Sequence, residues 1–456
     1  MFSNEKLKFY KKVLLVALPI VIQNAISNFV SLLDNIMIGR VGTDEMSGVA
    51  IVNQLMFVFY LCIFGAISGA GILTAQFYGN ADHEGVRDTF RFKLIVSAAI
   101  VLTVGIVFLF FGDNLIGFYL HDGSVTGNID ATLAFGKEYL LIMLLGMLPF
   151  AIDCSYAGTL RETGETFVPM VASFVAVFVN LVLNYILIFG KAGFPVMGVA
   201  GAAIATVISR YIQMAIDIIW THSHPERNKF AKGTYKSFRL REGLTKRIIV
   251  LGFPLLINET LWSAGVAMQN QAYSYRGLAV VAAMNINSTI SNMFGVVFLA
   301  MGDAVAIIVG QTLGAGKLEE AKTSAYRIIG LSAVMAGLCG IIMFFTAPLF
   351  PRIYNTTEEV RTLAESFMKV YACIMPMFGF LHATYFTLRS GGKTVITFLF
   401  DSCFLWVVAL PITYLLSLYS GLDIVWVYLI CLSIEFLKTI LGVVLLVKGV
   451  WINKLS

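Results

Sequence analysis

The sequence is short of charge. Among its 456 residues only 13% are Asp, Glu, Lys or Arg, while 58% are hydrophobic and the mean hydropathy is +0.83. A water-soluble domain is roughly half apolar and about a quarter charged. The shortage excludes an ordinary soluble fold and points to a polytopic membrane protein, because the apolar excess is spread over many long segments. Nucleotide chemistry is also missing. No GxxxxGK[ST] run is present and no polar segment is large enough for an ATPase, so a pump of this sequence would draw on an ion gradient. No Ser/His/Asp or H-E-x-x-H arrangement suggests an enzyme. Cysteine is sparse: Cys62, Cys154, Cys339, Cys373, Cys403 and Cys431 all lie in apolar runs without C-x-x-C spacing, which argues against disulfides and metal ligation. The net charge of +5 is no nucleic-acid footprint, since the basic residues sit in short loops between apolar runs. Nothing marks an obligate protein partner or an organic cofactor.

What is present is a series of apolar runs long enough to cross a bilayer, which takes about 20 residues. Twelve such segments lie near residues 13–38, 46–78, 91–111, 133–158, 166–190, 197–221, 247–275, 279–312, 326–350, 366–389, 394–418 and 424–449. No alternating strand pattern competes with them, so the expected class is all-α. The N-terminal stretch "MFSNEKLKFYKK" is basic, but Pro19, Gln23 and Asn24 interrupt the run after it, so it reads as the flank of an uncleaved first span. Lys6, Lys8, Lys11, Lys12, Arg87, Arg91, Lys93 and the 210–247 group fall on one side, and few Lys or Arg fall on the other. That asymmetry predicts an inner-membrane protein with both termini in the cytoplasm. The basic stretch at residues 221–246 reads as a solvated cytoplasmic linker between an N-lobe, 1–220, and a C-lobe, 247–456. His222 and His224 within it are a weak metal signal.

The chain also repeats itself. A shift of 235 residues overlays Pro19 on Pro254, Gly42 on Gly277, Gln76 on Gln311 and Gly79 on Gly314. Later the shift falls to 228, where "TLRETGET" meets "TLRSGGKT". Two repeats of an even number of spans share one orientation, which predicts two six-helix lobes related by a pseudo-two-fold axis along the membrane normal. Such lobes suit alternating access; repeats alone would also suit an ion channel.

Polar groups inside the spans narrow the choice. Asp34 sits within the first span, where a lone charge costs about 2.5–3.5 kcal/mol. Protonation, or a polar cavity holding a cation, would relieve that cost; a helix end reaching headgroup water is the bland alternative. Asn180 and Asn184 are four apart and share a helical face. They offer oxygens to a cation or hydrogen bonds to a carboxyl, or simply tie helices together. Thr206 adds a hydroxyl. Glu259, one turn after Pro254, raises the same question in the second half, where the counterpart of Asp34 is Gln269. Asp153, Asp303 and Asp401 read as structural, and Glu435 with Lys438 as a pair. Pro19 and Pro254 each predict a kink beside polar groups. Gln23, Asn24, Trp262, Gln269, Met284 and His382 are the candidate lining of a cavity for flat, greasy cations.

The segments "LPIVIQN", "LLDNIMIGRVG", "AQFYGNAD", "GTLRETGET", "NLVLNYILIFG", "GVAGAAIATVIS" and "GQTLGAGK" together resemble the multidrug and toxic compound extrusion (MATE) family, in order and over essentially the whole chain. The resemblance implies a twelve-helix transporter that exports organic cations and amphipathic compounds in exchange for Na+ or H+. It implies an N-lobe cation site at Asp34, Asn180, Asn184 and Thr206, with Na+, where that is the ion, held at Asp34, Asn180 and Asn184. Some prokaryotic members carry a second Asp where this chain has Asn184. Glu259 stands about two residues nearer its proline than the family's seventh-helix Glu. The nearest alternative, a lipid-linked oligosaccharide flippase of the same superfamily, would need a strongly cationic cavity, and few Arg or Lys lie inside the spans.

Overall fold

The computed structural model describes residues 4–120 and 128–456, and their side chains except at positions 4, 31, 32, 35 and 36. Residues 1–3 of the basic N-terminal flank lie outside the described residues. The described residues form helices and connections with no strand among them. The helices are α1 (Asn4–Gly39), α2 (Thr43–Gly79), α3 (His83–Gly117), α4 (Ile129–Leu145), α5 (Met147–Glu162), α6 (Phe167–Phe189), α7 (Gly198–Ser223), α8 (Leu244–Ser274), α9 (Leu278–Gly314), α10 (Leu318–Thr346), α11 (Glu358–Ser390), α12 (Thr394–Tyr419) and α13 (Ile424–Val447).

Eleven of these helices are long and apolar enough to span a membrane on their own, and α4 with α5 makes the twelfth span. The expected fourth span is therefore broken: α4 and α5 meet at a bend of 46°. Pro149 supplies the reason. It has no N–H to give the preceding turn, and its ring collides with the carbonyl four residues back, so α4 stops at Leu145 and α5 begins anew. Within α12, residues Leu399–Cys403 and Leu405–Ala409 widen into π-helical turns. Wide turns of this kind re-aim side chains and recur at functional sites.

The chain condenses into two compact units. One contains Ile22–Thr74 and Asp82–Ile249, and the other contains Met1–Val21, Ala75–Ala81 and Val250–Ser456. In lipid there is little hydrophobic force between helices, so they associate by close packing of small groups. The first unit packs Val52, Met56, Phe59, Tyr139, Met143, Ala202 and Ala203 into one core. In the second unit Val13, Val16, Ala17 and Ile20 of α1 join a core with Ala300, Ala304, Val305 and Ile308 of α9.

The repeat becomes a contact in that second unit. A Cβ on Gly79 would stand 1.9 Å from the carbonyl oxygen of Gln311, and one on Gly314 would stand 1.9 Å from that of Gln76. The positions that the 235-residue shift overlays thus face one another, each glycine against the other repeat's glutamine backbone. The Gln76 side chain is fully buried and reaches the C-terminal segment, donating to the Ser390 carbonyl at 2.9 Å and accepting from Leu455 N–H at 2.6 Å.

The basic stretch after α7 is largely exposed, and a few of its residues dock it on α3. Phe230 is buried against Phe90 of α3, with ring centroids 5.3 Å apart. Arg91 donates to the carbonyls of Gly233 and Thr234, both at 2.8 Å. Arg241 makes a two-pronged contact with Asp82, at 2.6 and 2.9 Å, and reaches Asp88 at 3.2 Å. Asp82 also caps α3 by accepting from Gly85 N–H at 2.9 Å. The Arg241 guanidinium beside it holds the Asp82 carboxyl below the usual carboxylate range. Composition does not reveal this docking, because the carboxylates that bind Arg241 lie more than a hundred residues away, at the start of α3. His222 bonds Tyr156 at 2.9 Å, and His224 stacks on Trp220. Lys93, read above as a loop cation, is fully buried and bonds Glu162 and Thr159. All six cysteines are free.

Candidate functional site

The site in the first unit is built by the α6–α7 hairpin. α6 is apolar except for one stripe, and Asn180 and Asn184 lie on it, 6% and 2% exposed. α7 can approach α6 because Gly201 has no side chain: a Cβ there would meet the Leu187 backbone at 2.8 Å. This brings Thr206 to Asn180, whose Nδ2 donates to Thr206 Oγ1 at 3.3 Å. α1 supplies Asp34, half-buried, and Asn184 Nδ2 donates to its Oδ1 at 2.6 Å. The same Asn184 amide donates to Asn180 Oδ1 at 3.1 Å.

The four residues that the sequence singled out in this half therefore form one connected cluster on three helices. Its character is oxygen-rich. With the Asn180 amide turned over, its nitrogen stands 3.1 and 3.2 Å from the two Asp34 carboxylate oxygens. Asn184 Oδ1 is buried without a donor. A corner of acceptor oxygens is satisfied by a proton on Asp34 or by a small monovalent cation, which binds this set of carboxylate, amide and hydroxyl oxygens. Among the described residues no group of three or more His, Cys, Asp or Glu side chains is arranged to hold a metal ion.

A second polar network lies in the same unit. Gln23 of α1 donates to Ser173 Oγ of α6 at 2.5 Å and accepts from Arg161 of α5 at 2.9 Å. Gln213 of α7 donates to Ser173 at 3.2 Å and to Asp153 Oδ2 at 2.8 Å. Gln23 is thus fixed by partners, while Asn24 beside it is half-buried. Sequence reading missed Arg161, Gln213 and Asp217. The signal was available: Ser209, Gln213 and Asp217 recur every fourth residue along one face of α7.

The other unit carries Glu259. Its Oε1 accepts from the Tyr385 hydroxyl at 3.5 Å. The neighbouring Asn258 is more deeply engaged, donating to Tyr385 and to Asp401 at 3.2 Å each and accepting from Ser402 Oγ at 2.7 Å. Lys438 bonds Asp401 at 2.7 Å and Glu435 at 3.5 Å, so its shorter contact goes to Asp401 across to the π-helical turn of α12. Of the candidate cavity residues here, Gln269 donates to Thr413 at 3.5 Å and Trp262 is exposed. His382 packs between Phe298 and Phe386. Met284 is buried in an apolar core with Val280, Phe367 and Tyr428, where it fills space. Pro19 and Pro254 lie inside continuous helices, α1 and α8.

The MatE family model matches residues 19–186 and 254–415, once in each half of the chain. The chain is 25% identical over 451 residues to "Probable multidrug resistance protein NorM" of Thermotoga maritima, covering 97% of this chain and 93% of that protein. It is 24% identical over 430 residues to "Probable multidrug resistance protein YoeA" of Bacillus subtilis, covering 93% and 91%. A solved multidrug resistance MATE family transporter, in an outward-facing conformation, superposes with a TM-score of 0.85 at 19% identity over 96% of this chain and 95% of that one. That likeness fixes the fold.

Proposed function

Because the chain belongs to the MatE family of multidrug and toxic compound extrusion proteins, we propose that it exports amphipathic and cationic organic compounds from the cell in exchange for Na+ or H+. The observation that carries this reading is the Asp34 cluster. The carboxylate is half-buried, its nearest donor is a neutral amide 2.6 Å away, and among the described residues it forms no ion pair. A proton or Na+ supplies the countercharge. Ion binding there favours whichever conformation holds the oxygens of Asp34, Asn180 and Asn184 together, and transport follows from that difference in affinity between two states. The relatives named multidrug resistance proteins support the substrate class.

In this reading residues 1–220 and 247–456 act as lobes that rock against one another in the inner membrane, with both termini in the cytoplasm and the docked linker between them. Glu259 is a candidate second coupling group. No cofactor or partner protein is needed. Buried Lys93 and Lys438 are already committed to Glu162 and Asp401, and half-buried Arg210 to Tyr60 and the Gly146 carbonyl. That argues against a pyrophosphate cradle and hence against the flippase alternative.

The test is efflux of a fluorescent organic cation from cells and from vesicles with imposed pH or Na+ gradients. Asp34→Asn, at normal expression, is expected to reduce coupled efflux to background. Undiminished transport by that variant would remove Asp34 from the mechanism, and dye movement that ignores both gradients would remove the antiport.

A further inference from the structure

The first unit holds a pair of carboxylates that the Asp34 cluster does not use. Asp153 stands on α5 and Asp217 on α7, 6% and 0% exposed. The two side chains lie within hydrogen-bonding reach of each other. Gln213 donates to Asp153 Oδ2 at 2.8 Å. Asp153 Oδ1 and both carboxylate oxygens of Asp217 are buried without a donor. Ionised carboxylates only accept hydrogen bonds, so two of them in contact with no donor between them require a proton.

The surrounding charges lead to the same requirement. On α5, Arg161 is the cation that acts on both acids, and its Nη2 is turned to Gln23. Glu162, next along, is matched by Lys93 of α3. On α7, Arg210 is held by Tyr60 and the Gly146 carbonyl, and His222 by Tyr156. α1 and α6 bring Gln23 and Ser173, both neutral. One arginine against two carboxylates leaves a net negative charge that a low-dielectric interior disfavours, and one shared proton cancels it.

We propose that Asp153 and Asp217 are a second proton-binding site, a pair that shares one exchangeable proton. Loss of the proton adds a negative charge beside Arg161 and Gln213. Both of these contact the Gln23–Ser173 pair, so the change reaches α1, the helix that carries Asp34. The proton-sharing pair does not depend on the transport reading.

Infrared spectroscopy of the purified protein tests it directly, through the carbonyl-stretch band of neutral carboxylic acid. The background is Asp34→Asn with Glu259→Gln, which removes the other two candidate acids. A pH-difference spectrum should show a neutral-acid band that disappears in alkali. Asp217→Asn is expected to abolish the band while keeping the fold at neutral pH, because the amide donates to the Asp153 carboxylate in place of the proton. Asp217→Glu should restore the band at a shifted frequency. A band that Asp217→Asn leaves intact overturns the proposal. Should the Asn variant fail to fold, the Glu variant decides: a band that does not move excludes the pair as its source. Because the readout needs no transported compound, its failure is distinct from failure of the antiport.

Discussion

Asp34 owes its setting to Asn184. A hydrogen bond to a charged group contributes about 1.5–3 kcal/mol, and the 2.6 Å contact is the shortest that Asp34 makes. Asn184→Ala is therefore expected to lower the apparent affinity for the coupling ion by roughly tenfold or more, read from the Na+ and pH dependence of dye efflux. An unchanged dependence would show that Asn184 only packs. Part of this arrangement was legible in the sequence. The depth of Asp34 and the four-residue spacing of Asn180 and Asn184 are local facts, set by hydropathy and helical period. That Asn184, and not Asn180, makes the short contact depends on where α1 crosses α6, which no local pattern records. For Gln213 and Asp217 the spacing was legible, but their partners were not. Each is an ordinary polar residue until Asp153 and Ser173 arrive from other helices.

At the scale of elements, two joints carry the site. The first is α6 against α7. Gly201→Ala would drive a Cβ to 2.8 Å from the Leu187 backbone, and overpacking of this kind costs typically about 1–3 kcal/mol. The variant should melt several degrees lower in detergent and lose coupling, since Thr206 moves away from Asn180; a wild-type melting temperature would mean that the helices part freely. The second joint is the stretch after α7 on the N-terminus of α3. Arg241→Ala should expose residues 221–247 to limited proteolysis at neutral pH. The sign of its pH dependence follows from Asp82. A carboxyl held below its ordinary value of about 3.9 stabilises the docked form above that pH, and the contribution is lost as pH falls through the lowered value. The difference between wild type and variant should therefore close below roughly pH 4. A difference that persists in acid would place the effect elsewhere. The spans themselves were readable from length and apolarity. The break at Pro149 was the exception, because α11 carries Pro376 in a continuous helix, so a proline alone does not distinguish bend from break.

At the scale of the whole molecule, the two halves place their polar side chains at matching positions. Gln23 meets Ser173 in one unit, and Asn258, 235 residues on, meets Ser402, 229 residues on, in the other. Asp34 meets Asn184, and Gln269 meets Thr413 at the same two offsets. The helix crossings are thus repeated, while the charge is present in only one copy of the second pair. The crossing of α2 and α9 is the tightest expression of the repeat. Gly79→Ala and Gly314→Ala should each be severely destabilising, because the added carbon would lie 1.9 Å from a backbone oxygen that no rotamer change can move. Loss of monodisperse protein on size-exclusion chromatography is the expected result for both, and near-normal yield of either would contradict the crossing.

That crossing also speaks to ancestry. A contact in which each partner presents the same glycine to the same glutamine backbone is the contact two identical chains make across a two-fold axis. A six-helix polypeptide bearing one copy of the motif would already possess a surface for its own twin. Fusion of two such genes would then have joined subunits that were paired beforehand, leaving each half free to lose or keep its acid while the shared seam stayed fixed.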